Sequence, residues 1–350
     1  MTPLSESQSA AHSQRPTMRH VAVLAGVGIK TVSRVINGEP NVSAETAAKV
    51  LAAAQSLHYV PDPHAGNLRR SDRQTKTIGL LVGNVGNPFA GALHRAIEDA
   101  ASARGVAVFA SSLDDDADRE LAIVSTFLKR RVDGLILTTA SKNQSYLIPE
   151  QERGTKFVFV DREPVGIDAD AVVSDNALGA SIATRHLIAH GHRHIAFLGD
   201  RSEIQTARER RRGFLEELGR AGISTNDVTV VEGLFNEEKA RSAMTALLDS
   251  SNPPTAVFGG QDLITIGVVR ALRDREMHRS IALVGFDDFE LADLLEPGIS
   301  VVSQDPRRIG ALAAERLFSR LEGDKQAEQT YTVPTRLITR GSGEIPVGAR

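Results

Sequence analysis

From Thr77 onward the chain alternates between short runs of branched apolar residues and amphipathic stretches. "TIGLLVGNV" leads into "FAGALHRAIEDAASARG" and "VAVFASS" into "DRELAIVSTFLKRR"; "GLILTTA", "KFVFVD", "HIAFLGD", "VTVVEG", "TAVFGG" and "IALVGFDD" follow in turn. Short, nearly continuous apolar runs are strands buried on both faces. Helical segments between them make βαβ units of a parallel sheet covered by helices. Roughly ten such strands are more than one sheet of ordinary size holds, so two α/β lobes are expected. Ligands of such sheets bind beyond the carboxyl ends of the strands. The residues just after each strand are therefore the candidate ligand contacts.

The first sixty residues carry no strand pattern. Thr17 is placed to cap a short helix Met18–Leu24, with Val21, Ala22 and Leu24 inward. "AGVG" breaks it, and a second helix runs from about Ile29 to Ile36 with Val32, Val35 and Ile36 on its apolar side. Ser43 caps a third, Ala44–Leu57, carrying Ala47, Val50, Leu51, Ala54 and Leu57 at helical spacing. Two short helices joined by a tight glycine turn are the helix-turn-helix arrangement. Small Ala22 permits close approach, Gly26 the turn, and Val32 anchors the second helix. Lys30, Thr31, Ser33 and Arg34 are then left on the outer face. Arg and Lys serve guanine O6 and N7, while hydroxyls and amides reach phosphates. The alternative on these residues alone is a solvated helix in a small bundle.

Charge separates the two parts. Residues 1–76 hold nine Lys/Arg against five Asp/Glu, a net +4, and the remainder carries −7. A basic head on an acidic body suits a polyanion-binding module attached to something else. Between them, "YVPDPHAGNLRRSDRQTK" reads as a linker, with a short helix through Leu68 possible after Asp62. The expected organisation is a disordered tail over 1–16, a head over 17–61, a hinge over 62–76, a two-lobe body over 77–341 and a tail over 342–350. The chain has no cysteine, which excludes disulfides and thiolate chemistry. No apolar stretch reaches the roughly 18 residues of a membrane span. The polar N-terminus is not a signal peptide. The expected setting is cytoplasmic.

"VAVLAGVGIKTVSRVING" and "VSAETAAKVLAAAQSLHYVP" resemble the headpiece of the lactose-repressor (LacI/PurR) family. The resemblance continues through "IGLLVGNVGNPF", "RRVDGLIL", "FVFVDRE", "VVSDNALGA", "HLIAHGHRHIAFLGD", "RRRGF", "IALVGFDD" and "ISVVSQD", over roughly residues 17–340. It implies an all-α helix-turn-helix headpiece and a two-lobe body like a periplasmic binding protein. It also implies a homodimeric transcriptional repressor of double-stranded operator DNA, controlled by a small effector without any cofactor. The base-reading positions of the family fall on Ile29, Lys30 and Arg34, and its phosphate contacts on Thr31, Ser33 and Asn37. The leucine wedged into the minor groove matches Leu68. Two departures stand out: Gly28 replaces the usual serine cap, and Pro63 and Gly66 replace ordinary hinge-helix residues.

The family's effector positions fall on Phe89, Asp114, Asp161, Arg210, Gln261, Asp287 and Gln304, with Thr138, Thr206 and Phe235 in second place. Phe89 and Phe235 can stack on a sugar ring, carboxylates accept from vicinal hydroxyls, and an arginine donates in a fork. Three acids against one arginine favour a neutral monosaccharide or polyol over an anionic ligand or a nucleobase-like corepressor. Gln261 stands where asparagine is usual. His186, His190, His192 and His194 crowd "HLIAHGHRHI", with two of them past a glycine; the resemblance implies histidines with no metal role there. "GNVGNPF" lacks dinucleotide-loop spacing. No assembled catalytic set points to an enzyme. The competing readings are a sugar sensor without DNA function and a sugar-modifying enzyme.

Overall fold

The computed structural model describes residues 16–60 and 75–348; the hinge residues Pro63, Gly66 and Leu68 lie outside them. The chain divides into two units, Met1–Thr75 and Lys76–Arg350.

The first unit holds helices α1 (Met18–Ala25), α2 (Ile29–Ile36) and α3 (Ala44–Ser56). Gly26 ends α1 at φ +64°, a left-handed conformation that costs glycine nothing, and its amide turns back to the α1 carbonyls. Ser43 Oγ caps α3 by accepting from the Thr46 amide at 3.2 Å. Val21, Ala22, Val32, Val50, Ala53 and Ala54 form the small core. Leu24 and Leu51, expected inward, are each 55% exposed. Both lie about 110° around the helix from the middle of the buried stripe, at about 100° per residue. Ala25 and Ala53 take the inward positions instead.

The second unit alternates β1 (Thr77–Val82), α4 (Pro88–Ser102), β2 (Ala107–Ser112), α5 (Ala117–Lys129), β3 (Gly134–Leu137), α6 (Ile148–Glu152), β4 (Lys156–Val160) and β5 (Asp170–Ser174). It continues with α7 (Asn176–Ala189), β6 (Ile195–Leu198), α8 (Gln205–Arg220), β7 (Thr229–Val231), α9 (Glu237–Leu248), β8 (Ala256–Gly259), α10 (Asp262–Asp274), β9 (Ala282–Phe286) and β10 (Ser300–Ser303). Helix α11 (Pro306–Leu321) and strands β11 (Thr330–Val333) and β12 (Arg336–Ile338) complete it. The strands form two six-stranded sheets, ordered β11-β5-β4-β3-β1-β2 and β12-β10-β9-β8-β6-β7. Every pairing is parallel except β10 with β12. The two orders are the same pattern repeated, so each strand of the first lobe has a counterpart in the second.

The chain crosses between lobes three times. After β5 it enters α7, which packs in the second lobe through Ala180, Ala183 and Leu187. After β10 it returns in α11, whose Ile309, Ala313 and Leu317 fill the first lobe's core. Between β11 and β12 it crosses once more. Asp175 at the first crossing accepts from the Thr335 amide at the third, at 2.8 Å. Gly213 of α8 lies against the backbone of α7, where a Cβ would meet the Ala177 carbonyl at 2.0 Å.

Residues 342–345, expected as part of a tail, are built into the second lobe. Ser342 accepts from the Ser300 amide at 2.9 Å and donates to the Leu283 carbonyl at 2.6 Å. Ile345 is buried in the core there.

Candidate functional site

Two surfaces carry the residues named from sequence. In the head, Ile29, Lys30, Arg34 and Asn37 are exposed on or just after α2, and Thr31 and Ser33 are half-buried beside them. Val32 on the opposite side is fully buried, which fixes this face outward. Arg34 lies 3.8 Å from Glu39, an exposed pair worth little against a competing partner. Asn37 Nδ2 donates to Ser33 Oγ at 3.3 Å. Gly28 is the N-cap of α2 at φ −70°, with no side-chain cap and nothing within 4 Å of where a Cβ would stand.

In the body, a cavity of about 560 Å3 opens where strand ends of both lobes meet. Phe89, Asp114, Thr138 and Asp161 line it from the first lobe. Thr206, Arg210, Phe235, Gln261 and Asp287 line it from the second, and Gln304 stands at the crossing after β10. The sheet repeat explains the convergence, because parallel strands end on one edge and each lobe turns that edge to the cleft. Backbone geometry is special there. Asp114, Asp161 and Asp287 have φ of 52°, 68° and 70°, left-handed values that aspartate tolerates better than most residues.

The second-lobe wall is a tight polar network. Arg210, buried, donates through Nε to Asn176 Oδ1 at 2.8 Å and through Nη1 to the Gly260 carbonyl at 2.9 Å and Asp287 Oδ2 at 3.3 Å. Its guanidinium stacks 3.8 Å from the Phe286 ring centroid. Gln304 Nε2 donates to Asp287 Oδ1 at 2.6 Å. Gln261 is the N-cap of α10, and its Nε2 donates to Asp200 Oδ2 at 2.8 Å, so the longer side chain is tied to the wall.

The strand ends also bring in four charged residues that sequence reasoning missed: Asp115, Arg162, Asp200 and Arg201. Asp115 Oδ1 accepts from Arg162 Nη2 at 2.7 Å, and its Oδ2 accepts from Arg201 Nη2 at 2.9 Å. Arg162 also donates to the Thr139 carbonyl at 2.6 Å. Thr139 sits in a loop clamped by buried Glu120, which accepts from the amides of Ala140 and Ser141 and the hydroxyls of Thr139 and Tyr146. A local signal was present: Asp115 and Arg162 directly follow named acids, Asp200 is the acid of the strand-end "GD", and Arg201 follows it. Asp114 lies at the rim, paired with Arg119 at 2.8 Å. Phe235 is 43% exposed, with Lys239 Nζ 4.4 Å from its ring centroid.

Burial pushes the Asp161 carboxyl upward, against the pull of Arg162 and Arg210. Burial likewise raises Asp200. Asp262 rises to about 6 because it is buried and faces the Asp287 carboxylate. Its Oδ1 accepts across the cleft from Asn87 Nδ2 at 3.1 Å.

Three of the four histidine side chains have hydrogen-bond partners. His186 Nε2 pairs with Glu344 at 2.5 Å, and His190 Nδ1 bonds the His186 carbonyl. His192 bonds Thr255 Oγ1 and the Ile345 carbonyl. Among the described residues no cluster of three or more His, Cys, Asp or Glu is arranged to hold a metal. None of the described helices is long and apolar enough to cross a membrane.

A helix-turn-helix head with an outward polar face, on a two-lobe body with a polar cleft, defines a ligand-responsive DNA-binding regulator. The comparisons fix the family. Residues 17–62 match the description "Bacterial regulatory proteins, lacI family", and residues 184–343 match "Periplasmic binding protein-like domain". The ribose operon repressor of Escherichia coli (strain K12) is 34% identical over 329 residues, covering 93% of this chain and 99% of the relative. The ribose operon repressor of Haemophilus influenzae is 32% identical over 328 residues, covering 93% and 98%. The lac repressor dimer bound to operator and the anti-inducer ONPF superposes with a TM-score of 0.83 at 26% identity, covering 94% of this chain and 99% of that one. This chain belongs to the lacI family of bacterial regulatory proteins.

Proposed function

We propose that this protein is a transcriptional repressor that binds a palindromic operator as a homodimer and is controlled by a neutral monosaccharide or polyol. Two-fold symmetry of the dimer matches two-fold symmetry of the site. Ile29, Lys30 and Arg34 read base edges; Thr31, Ser33 and Asn37 hold phosphates; Leu68 wedges into the minor groove at the operator centre.

The observation that carries the effector class is the charge balance of the cavity. Five aspartates, Asp114, Asp115, Asp161, Asp200 and Asp287, face three arginines, Arg162, Arg201 and Arg210. Each arginine is already paired with one of those acids. An anionic ligand would meet repulsion, whereas hydroxyls can donate to Asp161 and stack their ring on Phe89. Relatives named ribose operon repressors favour a pentose. With Asp287, Asp115 and Asp200 each held by internal donors, the acids serve recognition and not catalysis. The setting of such a protein is the cytoplasm, with its DNA.

Effector contacts come from both lobes, and the head is joined to the first through β1. A ligand that binds one lobe arrangement better than another shifts the population between them, and that difference couples sugar to DNA. A gel shift on the protein's own upstream DNA, with and without a panel of pentoses, hexoses and polyols, tests this. The expected result is a discrete complex whose stability one neutral sugar changes. Absence of any specific complex overturns the DNA reading, and a response confined to nucleobases overturns the effector class.

A further inference from the structure

We infer that Asp115 is a specificity-determining residue: it acts as a resident anion that keeps phosphorylated sugars out of the effector cavity. The inference rests on reading that cavity as a neutral-sugar site. Asp115 holds one arginine from each lobe, Arg162 through Oδ1 at 2.7 Å and Arg201 through Oδ2 at 2.9 Å. Two guanidinium groups converging on two oxygens are what a phosphate monoester requires, and the carboxylate occupies that place. The third cavity arginine, Arg210, is held by Asn176, the Gly260 carbonyl and Asp287. No cavity arginine is therefore left for an incoming anion.

A second observation shows how far the arginine pair depends on Asp115. Arg162 and Arg201 line the cavity, and the Nε of each is buried without a hydrogen-bond acceptor. The nearest carboxylates, Asp161 and Asp200, are 3.7 and 3.6 Å away, beyond hydrogen-bond reach. Among the described residues, Asp115 is thus the carboxylate that accepts a hydrogen bond from either guanidinium. With Asp115 removed, each guanidinium is left with a free Nη2, and both address the point between the lobes that Asp115 fills.

Asp115 is replaceable without backbone strain. Its φ is 54°, so glycine adopts the conformation freely and asparagine tolerates it. The full-length native protein, Asp115→Gly, Asp115→Asn and the double variant Asp115→Gly/Arg162→Gln are titrated calorimetrically with D-ribose, D-ribose 5-phosphate and inorganic phosphate. The native protein is expected to bind the neutral sugar and reject the phosphate ester. Both single variants should gain about tenfold or more in affinity for ribose 5-phosphate, and the double variant should lose the gain. The asparagine variant keeps the test decisive if the glycine variant does not fold. Native protein that binds the phosphate ester as well as ribose overturns the inference, as do folded variants whose affinity for it stays within about twofold of native. Native protein that binds no neutral sugar overturns the reading of the cavity. Inorganic phosphate then still reports on Asp115, stabilising the glycine variant and not the native chain if the inference holds.

Discussion

Asp161 and Asp287 occupy one and the same position in the two lobes. Each is the first residue past its strand, β4 or β9, with left-handed φ of 68° and 70°. Each amide donates to the neighbouring strand, Asp161 to the Val172 carbonyl at 3.0 Å and Asp287 to the Val302 carbonyl at 2.8 Å. The repeated fold thus supplies a carboxylate to each wall of the cleft, with Arg210 near both. Their surroundings then diverge. Asp287 is committed to Arg210 and Gln304. Asp161 accepts no hydrogen bond from a described residue, and its nearest cation is Arg162 Nε at 3.7 Å. One acid is part of the wall; the other is an open acceptor.

This divergence separates two substitutions that look equivalent in sequence. Asp161→Asn should lower effector affinity by roughly tenfold to a hundredfold, as loss of a charge-assisted hydrogen bond does, while leaving thermal stability unchanged or slightly higher. Asp287→Asn should weaken the effector and also destabilise the body by on the order of 2–4 kcal/mol, because buried Arg210 loses its carboxylate. Calorimetry and melting of both variants decide it. Equal stability losses would show that the two acids play one role.

Asp262 sets a pH dependence. Burial, then the Asp287 carboxylate, hold it at about 6 in the folded chain, above the ordinary 3.8. A carboxyl raised on folding stabilises the fold below its ordinary value, and that contribution is lost as pH rises through the folded one. Asp262→Asn, which carries no charge to bury, should therefore melt higher than the native protein at about pH 8 and match it near pH 4. A melting difference that stays constant across this range would remove Asp262 as the cause.

Gly28 gives the opposite kind of prediction, a gain. A serine there meets no steric obstacle, and φ −70° suits any residue. Its hydroxyl can accept from the open amides at the start of α2, stabilising the head by a few tenths of a kcal/mol relative to glycine. In the proposed mode of DNA binding the same hydroxyl also meets a phosphate, so Gly28→Ser should tighten operator binding roughly two- to tenfold, the worth of one neutral hydrogen bond. Weaker binding in an otherwise folded variant would mean that glycine is required for close approach to the backbone.

The fold class and the residues that line the strand-end cavity were legible because both follow from local rules. Apolar runs such as "KFVFV" declare buried strands, and a parallel sheet puts ligands at their carboxyl ends. What was not legible depends on which lobe a segment joins. Nothing in "PRRIGALAAERLFSRL" says that α11 returns to fill the first lobe, and residues 342–348 read as a tail until Ile345 is seen in the second lobe's core. Arg162 and Arg201 were missed for the same reason. Their importance lies in meeting at Asp115, and sequence separates them by 39 positions and a change of lobe. Leu24 and Leu51 erred differently, since on such short helices one apolar residue off the stripe is easily counted into it.

Arg34 tests whether the head reads sequence or only charge. Its side chain projects from α2 beside exposed Lys30, and the exposed pair with Glu39 at 3.8 Å is too weak to compete with a guanine edge. Arg34→Ala should cost about 1–3 kcal/mol on the native operator and much less on operators altered at the one base pair it contacts. A phosphate contact behaves otherwise, weakening all sequences alike and lowering the salt dependence of binding by about one ion. Titrating native and variant protein against a set of single-base operator changes, at two salt concentrations, distinguishes them. A uniform loss with a shallower salt slope would reassign Arg34 to the backbone and leave Lys30 and Ile29 as the readers.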